Sequence, residues 1–546
     1  MIFRSPFPDV VLPDVPLTPF VLERAAAIAE KPALVDADTG RVLTYGELAD
    51  GVRRGAVGLA RRGFGKGDVL ALLCPNVPEY PLVFHAAACA GGAVTSANPL
   101  LGVEELAFQL SDSRARVLVT TPPLVEKASA AAAHAGVDEL FVLGDGSGAT
   151  PFAQLLGRDE SPPGVEIDPA EDVVALPYSS GTTGLPKGVA LTHRNLVANL
   201  CQVEPVLGAD EREVALGVLP FFHIYGLVVV LNYALRQGGT VVTMSRFDFG
   251  GMLRAIDEHR ITHAFVVPPI AIALAREQIV DAFDLSSLEF VLCGAAPLSA
   301  ELELRCGERL GVVFRQGYGM TEASPVTHVV PSAGMPRPGT VGLPVPNTEV
   351  AIVDPASRLP VGPGETGEVW VRGPQVMRGY LGNPDATAAT IDDEGWLHTG
   401  DIGVADEDGC LTLVDRLKEL IKVNAYQVAP AELEAILLTH PAVGDAAVVP
   451  VQDEECGEVP KAFVVLAGDV EESDLIAFVA ERVAPYKRVR RVEVVETIPK
   501  SPSGKILRRL LVERARGESA HSAEAAGRGR YLSREAPQRS ERAASP

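Results

Sequence analysis

The sequence predicts an α/β protein built on parallel-rich sheets, with a smaller β subdomain and a separate α+β C-terminal domain. Three observations lead there. The chain has 546 residues, several times the usual domain size of about 150 residues. From residue 33 to about 294, short β-branched runs alternate with Ala- and Leu-rich helical segments. Two changes of texture follow, near Val341 and after Asp415. With 47% hydrophobic residues, most of the length can bury a core.

In chain order, ALVD at 33–36 is followed by the helical YGELADGVRRGAVGLARRG, then DVLALLC at 68–74 and a helix from about Glu79 through Ala90. Strands recur at 115–120, 173–180, 239–244 and 288–294. Strand and crossover helix in this order make a parallel sheet covered on both faces. Beyond Val341, TEVAIVD, GEVWVRG and LTLVDR are strands separated by Gly and acidic turns, which predicts an antiparallel or mixed subdomain. After Asp415, PAELEAILLTHP is a helix entered through Pro430 with acids in its first turn. DAAVVPV and KAFVVLA are strands, and EESDLIAFVAERVAP is a helix stopped before Pro485. The expected division is 1–417, 418–514 and a tail, 515–546, with too few branched apolar residues to fold.

The net charge of −23 disfavours nonspecific attachment to nucleic acid or an anionic membrane. Only ten of the 48 basic residues are lysines, so each has individual interest. The seven cysteines are scattered, with no CxxC and no grouping with histidine at metal-ligand spacing. They read as reduced, mostly buried small hydrophobes. Acids and prolines interrupt the first twenty residues, so neither a secretory signal nor a transit peptide is expected there. The longest apolar stretches, such as 227–235, are too short to cross a bilayer. A cytoplasmic location is expected.

The strongest local signal is the string Tyr178-Ser179-Ser180-Gly181-Thr182-Thr183-Gly184-Leu185-Pro186-Lys187-Gly188. Glycines let a turn present its amides to phosphate, the hydroxyls add donors, and Lys187 adds positive charge. The spacing is not that of the common nucleotide loop GxxxxGK[ST].

This string resembles the phosphate-binding signature of the AMP-forming acyl/aryl-CoA synthetases. Four further strings match that family in order: Gly317-Tyr318-Gly319-Met320-Thr321-Glu322, Gly395-Trp396-Leu397-His398-Thr399-Gly400-Asp401, Asp415-Arg416-Leu417-Lys418 and Pro502-Ser503-Gly504-Lys505. Phe221-Phe222-His223-Ile224-Tyr225-Gly226 and Gln427-Val428-Ala429-Pro430-Ala431-Glu432 are most similar to the 4-coumarate/cinnamate-CoA ligases. The resemblance implies a large domain that binds ATP and the carboxylate, and a mobile C-terminal domain that serves two half-reactions. Ser179 through Gly184, with Thr182 and Thr183, would hold phosphates together with Lys187. Gly317, Tyr318 and Gly319 would line the AMP site. Thr321 would contact the AMP phosphate and Glu322 would hold Mg²⁺. Asp401 would bind the ribose hydroxyls with help from Arg416, Lys418 would be the hinge, and Lys505 would reach the carboxylate and α-phosphate. Arg508 and Arg509, just beyond, read as solvent-facing.

These residue types suit the chemistry. A carboxylate lacks a leaving group and repels nucleophiles, so it is activated by transfer to the α-phosphate of ATP, giving an acyl-adenylate and pyrophosphate. The hard step is the approach of two anions. Lys187, Lys505 and Mg²⁺ would neutralise charge developing on phosphoryl oxygens.

The resemblance also implies an acyl pocket. His223 and Tyr225 would form its entry and wall, and Val229, Gly294, Ala295, Gly317, Pro325 and Val326 would surround an aromatic ring. Small residues at 295 and 317 leave the depth that a flat aryl-propenoate needs.

One stretch departs from the family. Where the resembling ligases have Lys-Gly-Phe or Lys-Gly-Tyr, this chain has Asn424-Ala425-Tyr426, although Lys422 and Gln427, both implicated in activity there, are retained. A positive charge is lost and a methyl group is added in a loop near the expected CoA passage. Two readings stay open: transfer of the acyl group to CoA, or adenylation with another acceptor. The second includes an ATP- and nitrite-dependent diazotase acting on an amino-substituted hydroxycinnamate or benzoate, and an amide-forming ligase. A noncatalytic nucleotide-binding protein is a third class.

Overall fold

In the strand Val69–Leu73 every side chain is buried, and successive residues serve two different cores. Leu70 and Leu72 face a large cluster that also takes Leu34, Ala215, Leu216 and Val241. Val69, Ala71 and Leu73 face a second cluster with Leu106, Leu110, Ala128 and Ala131. The period of two along a strand produces this division, and it explains why such strands read as unbroken apolar runs. The computed structural model describes all residues except 158–160, 162–163, 180–185, 333–336, 424–425, 454–455, 502–503 and 517–546.

The described residues form two compact units, one of residues 1–418 together with Gly504 and the other of residues 419–501 and 505–516. In the first, Val69–Leu73 belongs to a nine-stranded sheet whose centre is parallel. Helices Val103–Asp112 and Val125–Ala135 cover its outer face. A second nine-stranded sheet contains the parallel strands Pro32–Asp36, Thr240–Thr243, Val214–Gly217, His263–Val266, Phe290–Cys293 and Phe314–Gly319. The core shared by the two sheets includes Tyr45, Leu48, Tyr80 and Phe84 from the helices Tyr45–Arg61 and Tyr80–Cys89. Thr44 caps the first of these reciprocally with Glu47.

The β subdomain is a five-stranded antiparallel sheet of Glu349–Val353, Thr366–Arg372, Leu397–Ala405 and Leu411–Arg416, closed on one edge by Ile2–Arg4. That N-terminal strand is a correction to the sequence reading. Its three residues are too few to show a period, and the pairing partner lies far along the chain.

The second unit is α+β, as expected. Gly457–Leu466 pairs antiparallel with Val443–Asp453 and parallel with Arg491–Val494, and the hairpin of Ile421–Val423 and Tyr426–Val428 joins the same sheet. The helix predicted to run to Pro485 ends at Ala480. At the other end, a helix over 508–516 enters the expected tail, and Ala515 is buried against Phe463 and Leu511. The remaining tail residues, 517–546, lie outside the described residues. No helix among the described residues is long and apolar enough to cross a membrane.

Candidate active site

Gly294 and Ala295 lie just beyond the carboxyl end of the parallel strand Phe290–Cys293, the edge where open α/β sheets bind ligands. Cys293 and Gln316 are register partners, so Gly294, just past the end of its strand, lies beside Gly317, which continues the strand Phe314–Gly319 and pairs with Val329. Tyr225 lies against the first of them: a Cβ on Gly294 would stand 3.0 to 3.2 Å from the tyrosine ring. The Tyr225 hydroxyl donates to the carbonyl of Leu292 at 3.3 Å. Burial raises this phenol well above its ordinary pKa, so it stays a neutral donor. Tyr225 begins a π-helical segment, Tyr225–Asn232, that also buries Val229.

Glycines 317 and 319 differ in what demands them. A Cβ on Gly319 would lie 2.1 Å from the carbonyl oxygen of Pro325, so the fold itself excludes a side chain there. On Gly317 the nearest atoms would be 3.4 Å away, an ordinary contact. The backbone would accept alanine at 317. Ala295 has φ of 72°, a conformation that costs an L-residue roughly 1 kcal/mol, and its side chain is exposed.

His223 sits in a loop fixed by Asn76, whose amide donates to the carbonyls of Gly217 and Leu219 at 2.8 Å and whose oxygen accepts from the Phe221 amide. His223 Nδ1 accepts from the Tyr225 amide at 3.2 Å. In the neutral ring the proton therefore sits on Nε2. Val326 is held at both backbone groups by the buried amide of Asn199. Sequence reasoning missed Asn76 and Asn199; each lies outside any motif and reaches its target across the fold.

On the nucleotide side, Asp401 and Arg416 are cross-strand partners. Arg416 Nε lies 3.2 Å from Asp401 Oδ1, and Tyr318 Oη donates to Asp401 Oδ2 at 2.6 Å. Burial first, and then the Asp401 charge, drive the Tyr318 phenol far above its ordinary pKa.

Lys187 begins the strand Lys187–Thr192, which pairs with Gly379–Tyr380. Its Nζ lies 4.4 Å from the centre of the Tyr380 ring, within cation–π range. The Tyr380 hydroxyl donates to Glu322 Oε1 at 2.9 Å, and the Glu322 carbonyl accepts from the Met377 amide. Tyr380 thus joins Lys187 to Glu322, and no motif considered in the sequence contains it. Thr321 opens the short turn that carries Glu322. Ser179 pairs with Lys187, whereas Ser180, Gly181, Thr182, Thr183 and Gly184 lie outside the described residues.

Among the described residues, no group of three or more metal-ligating side chains occurs. Mg²⁺ in nucleotide enzymes uses one or two carboxylates and fills its remaining positions with phosphate and water. The buried carboxylate of Glu322 fits that mode.

In the second unit, Lys422 and Gln427 face each other across the hairpin. Its tip, Asn424 and Ala425, lies outside the described residues. Exposed Tyr426 stacks on Tyr486 with ring centres 4.6 Å apart. Lys505 lies in a turn closed by the Ser501 amide donating to its carbonyl, and its own amide donates to Ser501 Oγ. Exposed Lys418 ends the first unit. Arg509 is exposed as expected. Arg508 is not: its side chain is 14% exposed and bonded to Glu419 and Glu434, because consecutive helical residues point about 100° apart and only Arg509 is left facing solvent.

Residues 21–381 match the AMP-binding enzyme family, and residues 432–505 match the AMP-binding enzyme C-terminal domain. The 4-coumarate–CoA ligase 5 of Oryza sativa subsp. japonica is 45% identical over 524 residues, covering 93% of this chain and 96% of its own length. A 4-coumarate–CoA ligase of Pinus taeda is 44% identical, covering 94% and 97%. Among solved structures, the anthranilate CoA ligase AuaEII in complex with anthranoyl-AMP superposes with a TM-score of 0.86 at 27% identity, covering 94% and 99%. The amide bond synthetase McbA of Marinactinospora thermotolerans gives 0.82 at 31% identity, covering 91% and 99%. Fold, site and matches together define an AMP-forming ligase. The chain belongs to the AMP-binding enzyme family and is a catalytic member of its acyl/aryl-CoA synthetase branch.

Proposed function

We propose that this enzyme activates a hydroxycinnamate-type aromatic acid as its acyl-adenylate and transfers the acyl group to CoA, releasing AMP and pyrophosphate. The observation that carries this reading is the wall of Tyr225, Gly294 and Gly317 on two neighbouring strands. It stands beside the nucleotide pair Tyr318 and Asp401. Gly317 is a glycine where the fold has space for a methyl group, so the ligand, not the backbone, is what keeps that position small.

Each residue has one task in this reading. Asp401 and Arg416 hold the ribose; Thr321 contacts the α-phosphate. Lys187 and the loop Ser179 to Gly184 hold the outgoing phosphates, and Glu322 holds Mg²⁺, which neutralises phosphate charge when bound. Lys505 meets the negative charge that grows as the carboxylate attacks. Val229, Ala295, Pro325 and Val326 enclose the ring, and His223 Nε2–H closes its entry. Lys418 is the hinge, and Lys422 and Gln427 serve the second half-reaction. The substrate 4-coumarate follows the rice and pine relatives.

A second reading rests on Asn424 and Ala425, which replace the family's Lys-Gly. There the adenylate forms but CoA is not the acceptor, as in an amide-forming ligase or a nitrite-dependent diazotase. One experiment separates the two. The protein is incubated with ATP, Mg²⁺ and 4-coumarate, with and without CoA, and separately with nitrite and an amino-hydroxycinnamate, and products are identified by mass. The favoured reading expects coumaroyl-CoA and AMP. Adenylate without thioester, or a diazonium product independent of CoA, would overturn it.

A further inference from the structure

The helix after Lys505 begins with a half-buried arginine whose two partners lie at opposite ends of one stretch of chain. Arg508 Nε is 2.7 Å from Glu419 Oε2, and Glu419 is the first residue of the second unit. Its other two nitrogens embrace the carboxylate of Glu434, with Nη2 at 3.0 Å from Oε2. Glu434 lies on the helix Pro430–Thr439 and also accepts from the Val448 amide at 2.7 Å. The turn that carries Lys505 is pinned on its other side as well. Lys500 bridges to Ile506, and Lys500 Nζ meets Asp445 Oδ2 at 2.6 Å. Arg508 and Lys500 thus anchor the described residues on either side of Lys505.

A cluster of this kind is a poor choice for stability alone, because taking one guanidinium and two carboxylates out of water costs much of what their attraction returns. Its value lies in direction. A planar fork bonded to two carboxylates fixes orientation as a lysine ammonium cannot.

We propose that Arg508 is a positioning residue. It ties the chain that follows Lys505 to Glu419, the residue directly after the hinge, so that Lys505 keeps a fixed orientation toward the reacting carboxylate during adenylation. This rests on the reading of Lys505 and Lys418 given above.

The test compares Arg508→Met, Arg508→Lys and Glu419→Gln with Lys505→Ala in the full chain. ATP–pyrophosphate exchange reports adenylation, and supplied coumaroyl-AMP with CoA reports the second half-reaction. Misplacing a catalytic group by about 1 Å costs up to about a hundredfold. Arg508→Met should therefore lower the adenylation kcat by ~10- to 100-fold, with KM for ATP and acid nearly unchanged and the second half-reaction much less affected. Arg508→Lys should lie between Met and wild type. Glu419→Gln leaves the Arg508–Glu434 pair in place, so it folds even if Arg508→Met does not, and it should show the same selective loss in smaller degree. Equal loss in both half-reactions with a lowered Tm would make Arg508 a scaffold residue and overturn the proposal, as would unchanged adenylation in Glu419→Gln and Arg508→Lys. Lys505→Ala with full adenylation would instead overturn the underlying reading.

Discussion

Tyr318 Oη donates to Asp401 Oδ2 at 2.6 Å, across a gap of 83 residues in sequence. The bond ties the last parallel strand of the second large sheet to the antiparallel subdomain, and it sets the rotation of the carboxylate proposed to hold ribose. Tyr318→Phe removes this bond alone. A hydrogen bond to a charged group is worth about 1.5–3 kcal/mol, so KM for ATP in pyrophosphate exchange should rise roughly tenfold or more. An unchanged KM would show that Arg416 suffices to orient Asp401.

The two glycines of the same strand should part company on substitution. Gly317→Ala should melt within a degree or two of wild type, yet turn over 4-coumarate poorly while keeping activity toward smaller acids. Gly319→Ala forces its new Cβ into the Pro325 carbonyl and should lower the melting temperature markedly. Equal activity of Gly317→Ala on large and small acids would remove Gly317 from the acyl wall.

Tyr380 has two functions that separate cleanly. Tyr380→Phe keeps the ring under Lys187 and loses the bond to Glu322; Tyr380→Leu loses both. The Phe variant should need more Mg²⁺ for half-maximal adenylation. The Leu variant should in addition bind pyrophosphate more weakly without metal, by a few-fold, in line with about 1 kcal/mol for an exposed cation–π contact. Identical behaviour of the two variants would deny the ring any part in placing Lys187.

Glu213 lies far from this chemistry. It is buried, and neither carboxylate oxygen has a hydrogen-bond partner. Burial, with Asp210 adding to it, pushes its pKa up to about 8. A carboxyl whose folded value exceeds its unfolded value binds more protons when folded, so stability falls as pH rises from about 4.5 to 8. Glu213→Gln should flatten this slope, melting higher than wild type at pH 8 and nearly level with it at pH 5. Parallel Tm–pH curves for the two proteins would show that Glu213 does not titrate in this window.

Much of the architecture was legible because burial on both faces leaves a plain mark. Val69–Leu73 reads as an apolar run for that reason, and the change at Val341 reads as an antiparallel or mixed subdomain because its strands are short and separated by turn residues. Motif strings named Asp401, Arg416, Lys187 and Glu322 as members of one family pattern. Asn76, Asn199 and Tyr380 were illegible, since a single polar residue outside a motif has no local signature of what it will touch. Arg508 was misread for a related reason: beside Arg509 it looked like one more surface charge, and only the approach of Glu419 and Glu434 makes its burial tolerable.

The sequence by itself determined the family, the order of the strands and helices, and the residue types at the nucleotide and acyl walls. Those properties depend on neighbours along the chain, on period and on motif spacing. Tertiary structure alone decided which glycine the backbone requires, which arginine is paired with two carboxylates, and that a tyrosine ring connects Lys187 to Glu322. Each of these depends on atoms that come within about 4 Å only after distant segments have folded together, where hydrogen bonding and steric exclusion act.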